Sequence, residues 1–316
     1  MFDRYKGVAE FSWDGLGDFS GVYFLSDVAG LSQESIGDKA RLIRSLDEIP
    51  KAAINGALFF VLFTCDSDAY GALLRIVKGG GRFRSPKIYR KVDYRFANRR
   101  AFDALRKTWS IAERLSHLDA APHENICEAL ELTRGVSGDY VEVGVYMGGS
   151  AVTALNYLDL LEQDGAAPRR AWLFDTFDGF NYAEAETSAD QNWFASHKLM
   201  GVEKTMSYIH ETIRNFAHAR SPFELVACNI CADPLPEKLG AISVLNVDVD
   251  MYEATAAALK RLAPQVSSGG IVVCEDPTAT PALYGAYLAM REFLEGEEGR
   301  NFTSILKPGG YFLMKK

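Results

Sequence analysis

The apolar positions of this chain change period along its length, and the changes mark its elements. Two continuous apolar runs, GVYFL (21–25) and GALFFVLFT (56–64), read as buried strands. The spacing of KARLIRSLDEIPKA between them predicts a helix, and CDSDAYGALLRIVKGGG predicts a turn, a helix and a glycine stop. These pieces make a small N-terminal α/β lobe. RFRSPKIYRKVDYRFANRR (82–100) is basic and aperiodic and reads as a linker, so the lobe and linker are placed at 1–98 and a second domain at 99–316. AFDALRKTWSIAERLSHL and APHENICEALELTRG have helical spacing. Strands and helices then alternate: DYVEVGV, SAVTALNYLDLLEQ, AWLFDTF, VEKTMSYIHETIRNFAHA, FELVACN, ISVLNVDV, EATAAALKRLAPQV, GIVVCED and ALYGAYLAMREFLEG. The last stretch, FTSILKPGGYFLMKK, sets two apolar runs around Pro308-Gly309-Gly310, a hairpin signal. The alternation predicts a doubly wound, mostly parallel, Rossmann-like sheet with a C-terminal antiparallel hairpin. Ligands of such sheets bind beyond the carboxyl ends of the strands.

Composition narrows the function classes. With 48% hydrophobic residues in 316, the chain can build an ample core. A net charge of −8 argues against a general nucleic-acid binder. Five cysteines form no disulfide framework, and no apolar run is long enough to span a membrane. The first residues, MFDRYKG, lack an apolar signal region, so the expected compartment is the cytoplasm.

Two motifs at strand ends carry the chemistry. VEVGVYMGGSA puts Glu142, Gly144, Val145, Gly148 and Ser150 at the first strand-to-helix turn. Its spacing is not G-x-G-x-x-G, so the dinucleotide fingerprint fails. The turn instead suits a cofactor that joins an amino acid to a nucleoside without a pyrophosphate. Asp175 ends the next strand, where an acid can accept hydrogen bonds from vicinal ribose hydroxyls; Asp178 is the weaker candidate. Cys231, after the third strand, lies where the adenine is expected.

The second motif is VDVDMYE. Asp248 and Asp250 close an apolar strand, and Glu275 and Asp276 close the next one. Carboxylates gathered at one edge repel and raise one another's pKa. A hard divalent cation resolves that repulsion, and all-oxygen ligation suits Mg²⁺, with Ca²⁺ or Mn²⁺ as alternatives. Asp248, Glu275 and Asp276 form a ligand trio, which leaves Asp250 as a general base. His197 and His210 fall in the insertion after the second strand, His197 being the acid–base candidate, and Tyr182, Trp193 and Phe194 can cover an acceptor ring. CNIC, with Cys228 and Cys231, is a single pair and argues against zinc or redox work.

Through GDYVEVGVYMGG, AWLFDTFDGF, DPLPEKLGAISVLNVDVDMYEAT and LAPQVSSGGIVVCEDP, residues 138–316 resemble the macrocin and mycinamicin type of metal-dependent sugar O-methyltransferases. The resemblance implies a class I methyltransferase fold and S-adenosylmethionine as cofactor. It also implies a hydroxyl of a secondary-metabolite sugar as acceptor, and an oligomer. Glu142, Gly144 and Gly148 would then lie at the methionine end and Asp175 on the ribose. Asp248, Glu275 and Asp276 would hold Mg²⁺, and Asp250 would take the proton. The chain departs from the family with Glu275-Asp276-Pro277 in place of Asp-Asp-Tyr, and with Tyr146-Met147 in place of a Trp-Arg pair. Two other readings stand beside this one: a metal-independent N- or C-methyltransferase on the same fold, and a non-catalytic cofactor-binding or assembly protein.

Overall fold

Apolar strands that alternate with amphipathic helices bury both faces of a sheet, and the chain does this twice. A computed structural model describes residues 19–28, 31–84, 96–97, 99–109, 115–188, 195–217, 221–279 and 284–316. Trp193, Phe194 and most of the basic stretch 82–100 lie outside the described residues. The chain divides into two compact units, Met1–Phe102 and Asp103–Lys316.

The first unit comprises β1 (Val22–Ser26), α1 (Gln33–Ile36), β2 (Arg41–Ile43), β3 (Leu58–Leu62), α2 (Asp66–Lys78) and β4 (Arg82–Arg84). Its strands are all parallel, in the order β2-β1-β3-β4. The helix expected over KARLIRSLDEIPKA is not there. Arg41–Ile43 is a strand, and two 3₁₀ turns follow, Leu46–Glu48 and Lys51–Ile54. Ser45 and Glu48 close a capping box that starts a new turn, and Pro50 has no N–H for a helix interior. Ile43, Leu46, Ile49 and Ile54 still face one core, which is why their spacing imitates a helix. β4, inside the expected linker, adds an edge strand beside β3.

The second unit begins within α3 (Arg99–Trp109) and continues with α4 (Ala120–Leu132), β5 (Asp139–Val143), α5 (Gly149–Gln163), β6 (Ala171–Asp175), α6 (Ala183–Thr187) and α7 (Val202–Phe216). Then come β7 (Phe223–Ala227), β8 (Ile242–Val247), α8 (Tyr252–Leu262), β9 (Val266–Cys274), α9 (Asp276–Ala279), α10 (Tyr284–Glu295), β10 (Phe302–Lys307) and β11 (Gly310–Lys315). The sheet order is β10-β11-β9-β8-β5-β6-β7. β7, β6, β5, β8 and β9 run parallel; β11 runs antiparallel to β9, and β10, antiparallel to β11, returns to the direction of the other five. This is the class I methyltransferase arrangement: a doubly wound sheet closed by an antiparallel hairpin. Tyr140, Trp172, Phe174 and Leu245 are buried in its centre. The chain goes to one side of β5 for β6 and returns to the other side for β8. That reversal opens the crevice beyond the carboxyl ends of β5 and β8.

The helix expected over 101–118 is described as α3 up to Trp109; residues 110–114 lie outside the described residues, and 115–119 are not helical and lead into α4. No helix among the described residues is long and apolar enough to cross a membrane.

Candidate active site

Close approach of backbone to backbone fixes the turn after β5. Gly144 has φ +96°, and a Cβ there would lie 1.6 Å from the carbonyl oxygen of Asp248. Gly148, at φ +88°, caps α5. A Cβ on Gly149 would meet the Ser116 Cβ at 2.5 Å. Tyr146 adopts φ +49°, a conformation uncommon for any residue but glycine.

Asp175, at the end of β6, ties this turn down. Its Oδ2 accepts from the N–H groups of Val145 (2.8 Å) and Tyr146 (2.9 Å), and its Oδ1 from that of Phe177 (2.7 Å). Burial raises its pKa and these three amides oppose the rise. Asp178 accepts from the Asn181 side chain instead. Glu142 is wholly buried on β5. Tyr140 Oη donates to its Oε2, and Ser150 Oγ to its Oε1 at 2.7 Å. Burial pushes its carboxyl up to about 7 despite both donors.

The carboxylates gather at the neighbouring strand ends. β8 stops at Val247, so Asp248 and Asp250 flank one turn, with Asp250 at φ +61°. Asp276 opens α9, and its Oδ2 accepts from the N–H groups of Val249 (3.1 Å) and Asp250 (2.8 Å). One oxygen each of Asp248, Glu275 and Asp276 lies within 4.8 Å of the other two. Burial raises all three carboxyls first; repulsion from Asp250 and Glu142 adds to it at Asp248, and repulsion from Asp248 adds to it at Glu275 and Asp276. Asp276 Oδ1 is buried without a hydrogen-bond partner. Opposite ligands stand about 4 Å apart across Mg²⁺ and about 5 Å across Ca²⁺. Three carboxylates at this spacing, one with an orphaned buried oxygen, fit a hard divalent cation. The longer side chain of Glu275 reaches the cluster.

Members of both groups line a single cavity of about 530 Å³, whereas Glu142, Gly148 and Asp276 are not among its lining residues. Its walls include Gly144, Val145, Tyr146, Ser150 and Asp175 on one side and Asp248, Asp250 and Glu275 on the other. Cys228, Asn229 and Ile230 line it after β7. Cys231, predicted there, packs against the core cluster beneath. His197 lines the cavity with φ +53°, its ring 5.5 Å from that of Phe180 and 5.7 Å from that of His117. His210 sits on α7 against Phe223, away from this lining. Tyr182 is at the lining and packs on the core cluster. Tyr146, His197 and Asp250 are three of the five described non-glycine residues with positive φ, so backbone strain concentrates at this cavity.

Sequence reasoning missed the wall made by Leu115, Ser116, His117 and Asp119, having assigned much of it to a helix. A signal was available: Asp119 and, in the first turn, Pro122 mark a helix start, although the Asp119 side chain makes no capping hydrogen bond to α4.

The family model for macrocin O-methyltransferase (TylF) matches residues 93–298. A tetracenomycin enzyme of Streptomyces olivaceus, 8-demethyl-8-(2,3-dimethoxy-alpha-L-rhamnosyl)-tetracenomycin-C 4'-O-methyltransferase, is 29% identical over 175 residues, 54% of this chain and 66% of that protein. Demethyldecarbamoylnovobiocin O-methyltransferase of Streptomyces niveus is 30% identical over 163 residues, 50% of this chain and 60% of that protein. The match thus spans less than two thirds of the length of either curated relative. The solved structure of the O-methyltransferase NovP is 23% identical with a TM-score of 0.49, covering 61% of this chain and 78% of that one. The family match takes in the glycine turn, Asp175 and the whole carboxylate cluster, and it leaves out β1 to β4. The chain belongs to the macrocin O-methyltransferase (TylF) family.

Proposed function

We propose that the protein transfers the methyl group of S-adenosylmethionine to a hydroxyl of a small-molecule sugar. One observation carries this reading: a glycine turn suited to an amino-acid nucleoside lines one cavity together with Asp248 and Glu275, two members of a carboxylate trio suited to a divalent cation. Family membership supports it, as does a relative named for 4'-O-methylation of a rhamnosyl tetracenomycin. S-adenosylmethionine supplies an electrophilic methyl on sulfur. A cation held by Asp248, Glu275 and Asp276 supplies Lewis acidity that lowers the pKa of a nearby hydroxyl.

In this reading the residues divide the work. Glu142, Gly144, Val145, Gly148 and Ser150 shape the methionine end. Asp175 fixes the turn and offers its remaining acceptor capacity to the ribose, while Cys228, Asn229 and Ile230 border the adenine. Asp248, whose carbonyl abuts Gly144, would border the cofactor as well as help to hold the cation. Asp250, held in a left-handed turn beside the trio, accepts the hydroxyl proton on its carboxylate. His197 covers the acceptor side and is a second acid–base group. The cavity walls position donor and acceptor for in-line transfer and exclude water.

The test has two arms. S-adenosylhomocysteine binding is measured by calorimetry, and its release from S-adenosylmethionine is assayed with simple rhamnosides, with and without EDTA. Binding with EDTA-sensitive release is expected. Absence of binding would sink the whole reading; EDTA-resistant release would remove only the cation.

A further inference from the structure

Residues 115–122 form the cavity wall between the glycine turn and the C-terminal hairpin, and they have no regular structure until α4 begins. A wall of irregular chain needs anchors. On one side Gly149 N–H donates to Leu115 O at 3.1 Å. On the other, Asn125 Nδ2 in α4 donates to Pro308 O (2.8 Å) and Gly309 O (3.2 Å). Between them lies a chain of polar contacts that neither the glycine turn nor the carboxylate trio uses. Leu118 N–H donates to Ser116 Oγ at 3.0 Å. Ser116 Oγ lies 3.3 Å from His123 Nε2, and His123 Nδ1 lies 2.9 Å from Thr153 Oγ1. Thr153 Oγ1 donates to Gly149 O at 3.2 Å and meets Thr108 Oγ1 at 2.9 Å.

The donors order themselves. Thr153 Oγ1 gives its one proton to Gly149 O, so toward His123 Nδ1 it accepts. The ring proton of His123 is therefore on Nδ1, and Nε2 accepts from Ser116 Oγ, which itself accepts from Leu118 N–H. Burial drops the His123 ring pKa to about 3, so it stays neutral in ordinary buffers. The next residue along the wall, His117, lines the cavity and sets its Nε2 3.1 Å from Tyr146 Oη, with the two rings 4.8 Å apart.

We infer that His123 is a positioning residue: by holding Ser116 it docks the 115–119 wall onto α4, and so holds His117 against Tyr146 in the cavity. His123 itself is not among the cavity-lining residues. A histidine that merely fills space would tolerate any polar residue of similar size. One that holds Ser116 would tolerate only a residue whose polar end still reaches Ser116 Oγ.

Two amide substitutions separate these cases. In His123→Gln the side-chain oxygen reaches the place of Nε2 and keeps the Ser116 bond. In His123→Asn the amide reaches only the place of Nδ1 and keeps only the Thr153 bond. Histidine-ring NMR resonances of His117, calorimetric affinity for S-adenosylhomocysteine and thermal melting are measured on both. The expected result is a displaced His117 resonance and affinity weaker by about tenfold in His123→Asn, with His123→Gln within about twofold of the parent. Should His123→Asn not fold, Ser116→Ala removes the same bond, and Ser116→Thr should restore it. Equal effects of the two amides, or an unmoved His117 in both His123→Asn and Ser116→Ala, would overturn the assignment. The affinity readout rests on the proposed methyl-donor reading, whereas the His117 resonance does not. A parent protein that fails to bind S-adenosylhomocysteine therefore refutes that reading and leaves the resonance to decide this one.

Discussion

Gly144 and Asp248 lie so close that a single methyl group cannot be placed between them: a Cβ at 144 would sit 1.6 Å from the Asp248 carbonyl oxygen. The contact follows from the pairing of β5 with β8, in which Val143 stands opposite Val247. It brings the glycine turn and the first carboxylate to one edge. Gly144→Ala must move one strand end or the other, and alanine is also strained at φ +96°. The strain alone costs about 1–3 kcal/mol. We expect a lower melting temperature and loss of S-adenosylhomocysteine binding. A normal melt with normal binding would show that the strand ends part easily.

Asp276 has two separable jobs. Its Oδ2 holds the backbone of Val249 and Asp250, while Oδ1 is the orphaned oxygen of the trio. Asp276→Asn keeps an oxygen for the two amides and removes the negative charge. Its fold should survive, while stabilisation by added Mg²⁺, read as a shift in melting temperature, should disappear. A Mg²⁺ shift as large as that of the parent protein would take Asp276 out of the ligand set.

Asp250 is the proposed proton acceptor. Asp250→Asn should lower turnover by about 10²–10⁴-fold and leave S-adenosylhomocysteine affinity within about twofold. Turnover close to that of the parent would move the base elsewhere, with His197 the next residue to substitute.

Glu142 gives a pH signature of stability. Its folded-state pKa is raised from 4.5 to about 7, with burial the first cause. Between those values the folded protein holds a proton that the unfolded chain has lost. This contribution is therefore complete below pH 4.5 and is lost as the pH rises through 7, at up to ~1.4 kcal/mol per pH unit. Asp248, Glu275 and Asp276 have raised pKa values too and add the same sign, so the wild-type profile alone does not isolate Glu142. Glu142→Gln does. Its urea stability relative to the parent protein should improve from pH 5 to about pH 7 and level off above it. A constant difference across that range would mean that Glu142 is ionised throughout.

Much of the second unit was legible in the sequence because its signals are local. Continuous apolar strands such as VLNV can only be central, and a glycine turn after a strand marks a ligand edge whatever surrounds it. The N-terminal lobe was read less well. In KARLIRSLDEIPKA the apolar residues recur at helical intervals, yet a short strand and two tight turns present the same residues to one core. Periodicity reports which residues are buried, and it leaves open how the backbone brings them there. The stretch before α4 was read too regularly: the second helix was correctly begun near Ala121, but Leu115–Leu118, continuing the apolar spacing of α3, was read as helix and is irregular chain.

By itself the sequence determined the strand–helix alternation, the residue types at each strand end and the family, because these depend on neighbours a few positions away. Only the tertiary structure decided that Asp175 spends both oxygens on backbone amides, that Glu275 reaches the carboxylate trio, and that His123 and Ser116 brace a cavity wall. Those facts arise where segments distant along the chain meet. Their geometry is set by strand pairing and close packing, which no local pattern of residues encodes.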